Sequence, residues 1–377
     1  MGMRPDEPPI GVDGQGGLPL PWLGGPLTRA RALDGAHALL VHGPAGGGHL
    51  EFGLLLAQAW LCERPSGAPQ SAAGHPGAGC GHCGSCRLVR TRVHPDLMIL
   101  LPDALRVRYG WVGEDESKLT KADAKPSREL RVDQVREAID WAQRTSGRGR
   151  GKAMLLHPAD MLNGAAANAL LKTLEEPPGA LRIVLTSADP ERLLPTLRSR
   201  CQRVALPLPA ADVASAWLRA QGLADPSPLL ALAGGSPLDA LAWAAEGLGP
   251  AQLAELPRRI AAGDASLLAG RPIPRVIDLL ARLAHDAMAM AVGGAPRFYA
   301  AASLPAGADI AALGAWQKAL LRTARHEDHP WNAGLLTESL VSQAAAAWPV
   351  AAPARPGRPA RPDAPAGQGG QGGPRRA

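Results

Sequence analysis

The chain has 377 residues, enough for roughly two or three domains, and 46% of them are hydrophobic, enough to build cores. No apolar run reaches the roughly 18 residues of a membrane span, and the opening MGMRPDEPPIGVDGQGG lacks the apolar stretch of a secretory signal, so a cytoplasmic protein is expected. The formal charge of +6 argues against a dedicated DNA-reading surface, because +4 of it lies in residues 351–377, where five arginines face one aspartate. The Pro/Gly/Arg-rich tail, 349–377, is too poor in apolar side chains to offset its ordering entropy and is expected to be disordered, as is an extension at 1–17.

Ala38 to Val41 reads as a strand and Leu50 to Leu61 as a helix, with HGPAGGGHL (His42 to Leu50) between them. Strand, glycine turn and helix is the setting of a phosphate-binding loop. The pattern G-x-x-x-x-G-K-[ST] would run from Gly43 to Gly48 and then require a lysine and a hydroxyl, where this chain has His49 and Leu50. The lysine reaches phosphate and the hydroxyl holds Mg²⁺, and neutral His49 and Leu50 replace neither. On these residues alone, a degenerate nucleotide loop and a plain glycine turn both stay open.

Cys80, Cys83 and Cys86 form two overlapping C-x-x-C units, and Cys62 stands upstream at the end of the first helix. Each C-x-x-C places two thiolates on one tight turn, so the four cysteines suit a closed, structural Zn²⁺ site without an open catalytic position. Disulfides are disfavoured in a cytoplasmic chain. His75, His82 or His94 could take one ligand place, with Cys62 the least certain member, and Cys201 reads as a small buried side chain.

Further along, Leu97 to Leu101 reads as a strand, 102 to 130 as a long polar loop, and Arg131 to Arg144 as a helix with Val132, Val135, Ile139 and Ala142 on one stripe. Ala153 to Leu156 and Arg182 to Thr186 read as strands around a helix, Gly164 to Glu176, halted by Pro177-Pro178. Alternating strands and helices predict an α/β domain with a parallel sheet covered on both faces. After Pro209 the pattern is almost wholly helical. The expected domains are 18–208, carrying an inserted metal module at about 62–90, then a small helical domain at 209–248 and a larger one at 249–348. Among nine tryptophans, Trp22, Trp141, Trp217 and Trp243 read as packing or interface anchors, since basic residues do not interleave them.

NALLKTLEEPP (Asn168 to Pro178) and LTSADPERLLPTLRSRC (Leu185 to Cys201) resemble the clamp-loader branch of the AAA+ ATPases, as does a cysteine cluster after the first helix. The resemblance runs from about Leu18 to residue 241. It implies an AAA+ P-loop-type sheet, a small helical lid domain and a C-terminal helical collar domain. It also implies a subunit with no productive ATP/Mg²⁺ site. Where motor subunits carry an Asp-Glu pair, this chain has His157 and Pro158; Asp160 is displaced along the chain. Leu238 stands at the sensor arginine of G-S-x-R-D-A-L. With these parts gone, the glycines are expected to persist because the turn packs the first helix on the sheet.

What remains by the same resemblance is Arg200, in Ser199-Arg200-Cys201, the position that family members present across a subunit boundary to a neighbour's ATP. Leu170, Leu171 and Leu174 read as core, while Lys172, Glu175 and Glu176 read as a solvated helix end that the resemblance places near the intersubunit surface. The implied role is a non-catalytic subunit, enzymatic only by association with DNA polymerase III. Its implied partners are gamma/tau and delta subunits, the sliding clamp and primer–template DNA. The alternatives are an active ATPase using His49 and Asp160, and a zinc-dependent DNA-binding protein.

Overall fold

The computed structural model describes residues 8–33, 35–64, 75–121, 125–325 and 331–348. They fall into two compact units, one within residues 1–256 and 295–303, the other within 257–294 and 304–377.

The first unit is built on five strands, β1 (Ala38–His42), β2 (Leu97–Leu100), β3 (Lys152–Leu156), β4 (Leu181–Ser187) and β5 (Gln202–Ala205). All pair in parallel, in the order β2-β3-β4-β1-β5. Its helices are α1 (Gly24–Arg31), α2 (His49–Leu61), α3 (Gly84–Arg90), α4 (Asp103–Arg108), α5 (Val132–Gln143), α6 (Gly164–Glu175), α7 (Pro195–Arg198), α8 (Ala211–Ala220), α9 (Ser227–Leu232) and α10 (Pro237–Ala245). α11 (Pro250–Ala261) crosses the boundary between the units.

Strands β1 to β4 are apolar at most positions because both sheet faces are covered. Leu39, Val41, Ala153, Leu155 and Val184 join the cluster formed with α1 and α2. The alternate residues Ala38, Leu40, Met154, Leu156, Ile183 and Leu185 join the opposite cluster with α5 and α6. Every residue of α2 is buried, which accounts for its all-round hydrophobicity. Gly53 in its middle permits close approach to the sheet, since a Cβ there would lie 2.4 Å from Leu155 Cδ1.

Three expectations are corrected. The segment 102–130 is not one loop: it holds α4 and a 3-10 helix, Glu114–Thr120, tied by an Arg106–Glu116 ion pair. β5 was not anticipated, because only Val204 among its four residues is buried. Within residues 8–17, expected to be disordered, Val12 lies against α2: it is buried, its N–H donates to Gln58 Oε1 at 2.6 Å, and Gln58 Nε2 donates back to Val12 O. Residues 1–7 and the tail 349–377 lie outside the described residues.

Trp22 and Trp217 meet edge to face at 5.3 Å, and Trp243 is wholly buried. Trp141 Nε1 donates to Pro95 O at 3.1 Å.

In the second unit, α12 (Ile273–Ala291), α13 (Ile310–Ala324) and α14 (Ala333–Ala345) pack together. α12 buries Val276, Leu279, Leu280 and Leu283 at helical spacing, α13 contributes Leu313, Trp316 and Leu320, and α14 adds Leu340, Val341 and Ala344. No helix among the described residues is long and apolar enough to cross a membrane.

Candidate functional site

The carboxyl ends of β1, β3 and β4 converge on the glycine loop, the place where open parallel sheets hold ligands. The glycines are needed for close protein contacts. A Cβ on Gly43 would lie 2.0 Å from Leu206 O, the residue whose N–H donates to His42 O. Gly46, at φ +74°, would place a Cβ 1.8 Å from Ser236 Oγ and 2.8 Å from Asp239 Oδ2. Gly48, at φ +94°, precedes α2 directly and meets Leu20 in the same way at 2.5 Å. Trp22 Nε1 donates to Gly47 O at 2.9 Å. Packing therefore holds this turn, with α10 starting directly over it: Ser236 caps α10 by accepting from Asp239 N at 3.2 Å.

A cavity of about 190 Å³ remains beside the turn, lined by Gly46, Gly48, His49, Leu50, His157 and Leu238 together with Glu51, Tyr109 and Asp239. His49 is buried, and its Nε2 makes no hydrogen bond within the protein. Burial is the main reason its pKa falls to about 4, partly opposed by a hydrogen bond with the Gly43 backbone and by the charge of Asp160. At neutral pH it is uncharged and cannot act as the missing lysine. His157 Nδ1 meets Thr186 Oγ1 at 2.7 Å, and enclosure by the protein lowers its pKa to about 3. Pro158 follows it with no carboxylate, and Asp160 does not line the cavity. Glu51, which also lines the cavity, is pushed up to about 7 by burial. Leu238 supplies no charge.

Arg200 stands at the turn between α7 and β5, flanked by buried Leu197 and Cys201, and is itself exposed. Its Nε donates to Glu175 Oε1 at 2.7 Å, its Nη2 pairs with the same oxygen, and its Nη1 donates to Thr196 O at 2.9 Å. Nearby Arg198 pairs instead with Glu191. Cys201 is a buried thiol pushed up to about 12 by desolvation.

Away from the cavity, Cys62, Cys80, Cys83 and Cys86 are buried and their sulfurs all lie within 4.8 Å of one another. The Cys62–Cys83 and Cys80–Cys86 separations are both 3.9 Å. A tetrahedral ion with Zn–S bonds of about 2.3 Å sets its sulfurs about 3.8 Å apart, close to the two 3.9 Å separations, so the four cysteines suit such an ion. Backbone N–H groups of Cys80, Cys83 and Cys86 donate to the sulfurs of Cys62, Cys80 and Cys83. The Cys62 thiol is lowered to about 5, chiefly by the neighbouring Cys86 thiol and also by the Cys80 and Arg64 amides, against the opposing effect of burial.

The candidate histidines are engaged elsewhere. His94 Nδ1 accepts from Asp96 N at 3.0 Å while its Nε2 meets Ser85 Oγ, His82 Nδ1 meets Cys80 O, and His75 Nδ1 meets Pro76 O. Ser85 also binds Glu63, and Arg148 contacts both, tying the cysteine module to the loop before β3.

Sequence reading missed Ser236, Asp239, Thr186, Arg108 and Tyr109, which reach the site from distant elements, and it missed the pairing of Glu175 with Arg200. Only the composition of the turn was a local signal.

The five-stranded parallel sheet and the glycine turn between β1 and α2 define a P-loop-type α/β chain. Residues 29–209, just under half of the chain, match the family described as DNA polymerase III, delta subunit. The chain is 40% identical over 210 residues to DNA polymerase III subunit delta' of Pseudomonas aeruginosa, covering 54% of this chain and 55% of that protein. It is 35% identical over 215 residues to subunit delta' of Escherichia coli K12, covering 56% and 55%. Subunit tau of Escherichia coli K12 is 32% identical over 165 residues, covering 44% of this chain and 20% of tau. The matches to the two delta' subunits thus span about half of those relatives' length.

Proposed function

We propose that this chain is a non-catalytic clamp-loader subunit of the delta' type, acting in the cytoplasm with gamma/tau and delta subunits to place a sliding clamp on primed DNA. The supporting observation is a contrast within one domain. Its own loop has His49 and Leu50 for lysine and hydroxyl, His157 and Pro158 for the carboxylates, Leu238 for the sensor arginine, and a cavity of about 190 Å³. Ligand pockets usually exceed about 300 Å³. Arg200, by contrast, is presented outward at a turn anchored in the core.

Each missing part removes charge stabilisation worth several kcal/mol in a working phosphoryl-transfer site, so no hydrolysis is expected in cis. Arg200 would serve in trans, its guanidinium placed against the γ-phosphate held by a neighbouring motor subunit, where such a group is worth roughly 10³–10⁵ in rate. Residues 209–248 would form the lid, and 249–348 would join a collar with the other subunits. Cys62, Cys80, Cys83 and Cys86 would hold a structural Zn²⁺, which supplies folding energy and no chemistry when all four positions are protein ligands.

The test is reconstitution with cognate gamma/tau, delta, sliding clamp and primed DNA. The isolated chain should hydrolyse no ATP, and omitting it should stop clamp loading. Turnover by the isolated chain that disappears on His49→Ala or Asp160→Ala would replace this reading with an active ATPase.

A further inference from the structure

We infer that Glu175 is the positioning residue for Arg200, bracing the guanidinium so that its terminal edge faces outward; this rests on the trans-acting role proposed above. Glu175 is the last residue of α6 and Arg200 follows α7, so the pair joins two elements that are 25 positions apart in sequence and packed side by side. Sequence alone reads Glu175 as a solvated helix end.

The donor count carries the argument. Arginine has five N–H groups in a rigid planar fork. Nε–H and one Nη2–H go to Glu175 Oε1, and one Nη1–H goes to Thr196 O at 2.9 Å. The second Nη1–H meets only Ser199 Oγ at 3.4 Å, and the second Nη2–H has no contact among those the structure shows. The braced groups hold the stem and both flanks of the fork. The pair of donors left over suits two oxygens of a phosphoryl group, the bidentate geometry that distinguishes arginine from lysine.

Both side chains are substantially solvent-accessible, 35% for Arg200 and 48% for Glu175, so the pair adds little to the stability of the fold. Its value lies in orientation: a long side chain that is held in place loses less freedom when it meets its target. Thr196 O and buried Leu197 and Cys201 fix the backbone, and Glu175 fixes the head group.

The experiment is a double-mutant cycle in the reconstituted complex, measuring clamp- and DNA-stimulated ATPase for wild type, Glu175→Ala, Arg200→Ala and the double variant, with Glu175→Asp and Glu175→Gln alongside. Assembly and melting temperature are checked for each. Glu175→Ala should lower kcat by roughly tenfold with KM for ATP changed less than about twofold, as expected for a misplaced group that acts in the transition state. Added to Arg200→Ala it should do nothing further, and Glu175→Gln, which keeps an acceptor oxygen, should recover part of the loss. A Glu175→Ala complex at the wild-type rate, or an equal loss in both backgrounds, overturns the inference. So does a rise in rate, which would mean that Glu175 parks Arg200 away from the phosphate. If Arg200→Ala itself has no effect, the trans-acting role falls first, and the positioning role with it.

Discussion

Replacing Gly46 by alanine should damage this protein through packing, in the absence of any nucleotide. Gly46 sits at φ +74°, where a non-glycine residue costs about 1 kcal/mol or somewhat more. The added Cβ would also fall 1.8 Å from Ser236 Oγ, a separation no pair of atoms tolerates. Ser236 must then move, and with it goes the cap it gives to Asp239 N at the start of α10, worth about 1 kcal/mol. The sum is about 2–3 kcal/mol, or roughly 4–12 °C of melting temperature for a domain of this size. Gly149→Ala is the matched control, with φ +71° and nothing within 4 Å of the new Cβ, so it should cost only the conformational part of about 1 kcal/mol. Thermal unfolding of both variants by calorimetry, without nucleotide, measures the difference. Equal losses in the two proteins would refute the packing account of the retained glycines.

Purified protein should carry one metal ion per chain by elemental analysis, and chelation should lower the melting temperature and make four further thiols titratable; an unchanged melt would contradict the fitted four-sulfur geometry. Glu51 has a folded pKa of about 7, above its ordinary 4.5, so its contribution is fully present below pH 4.5 and is lost as pH rises to about 7. Glu51→Gln should therefore gain up to about 3 kcal/mol on wild type in moving from pH 4.5 to 8, read by denaturant unfolding at each pH. His157 and His49 work in the opposite direction. Their folded pKa values of about 3 and about 4 lie below 6.5, so the stability they give is present above pH 6.5 and lost as the solution is acidified through those values. His157→Gln should flatten that acid limb; an unaltered limb would show that the ring titrates normally.

Where the physics was local, the sequence was readable. The β1–turn–α2 unit announces itself because an apolar strand and a mostly apolar helix flank three consecutive glycines, and the cysteine module does so because C-x-x-C spacing is set by one tight turn. β5 escaped notice because an edge strand with a single buried residue has no apolar alternation to detect. α4 was too short and too charged to show a stripe. Ser236 over Gly46 and Glu175 beside Arg200 are contacts between residues far apart in the chain, and no periodicity encodes them. The sequence shows His49 and Leu50 where a phosphate-binding loop would carry lysine and a hydroxyl, but only the fold shows Ser236 packed over Gly46.

The most direct measurement compares ATP turnover by the clamp- and DNA-stimulated complex assembled with wild-type chain or with Arg200→Ala, alongside the isolated chain. The chain alone should show no turnover, and a fully assembled Arg200→Ala complex should lose at least tenfold at the neighbouring site. An intact complex whose rate ignores Arg200 would contradict that, and would leave this chain a purely structural role.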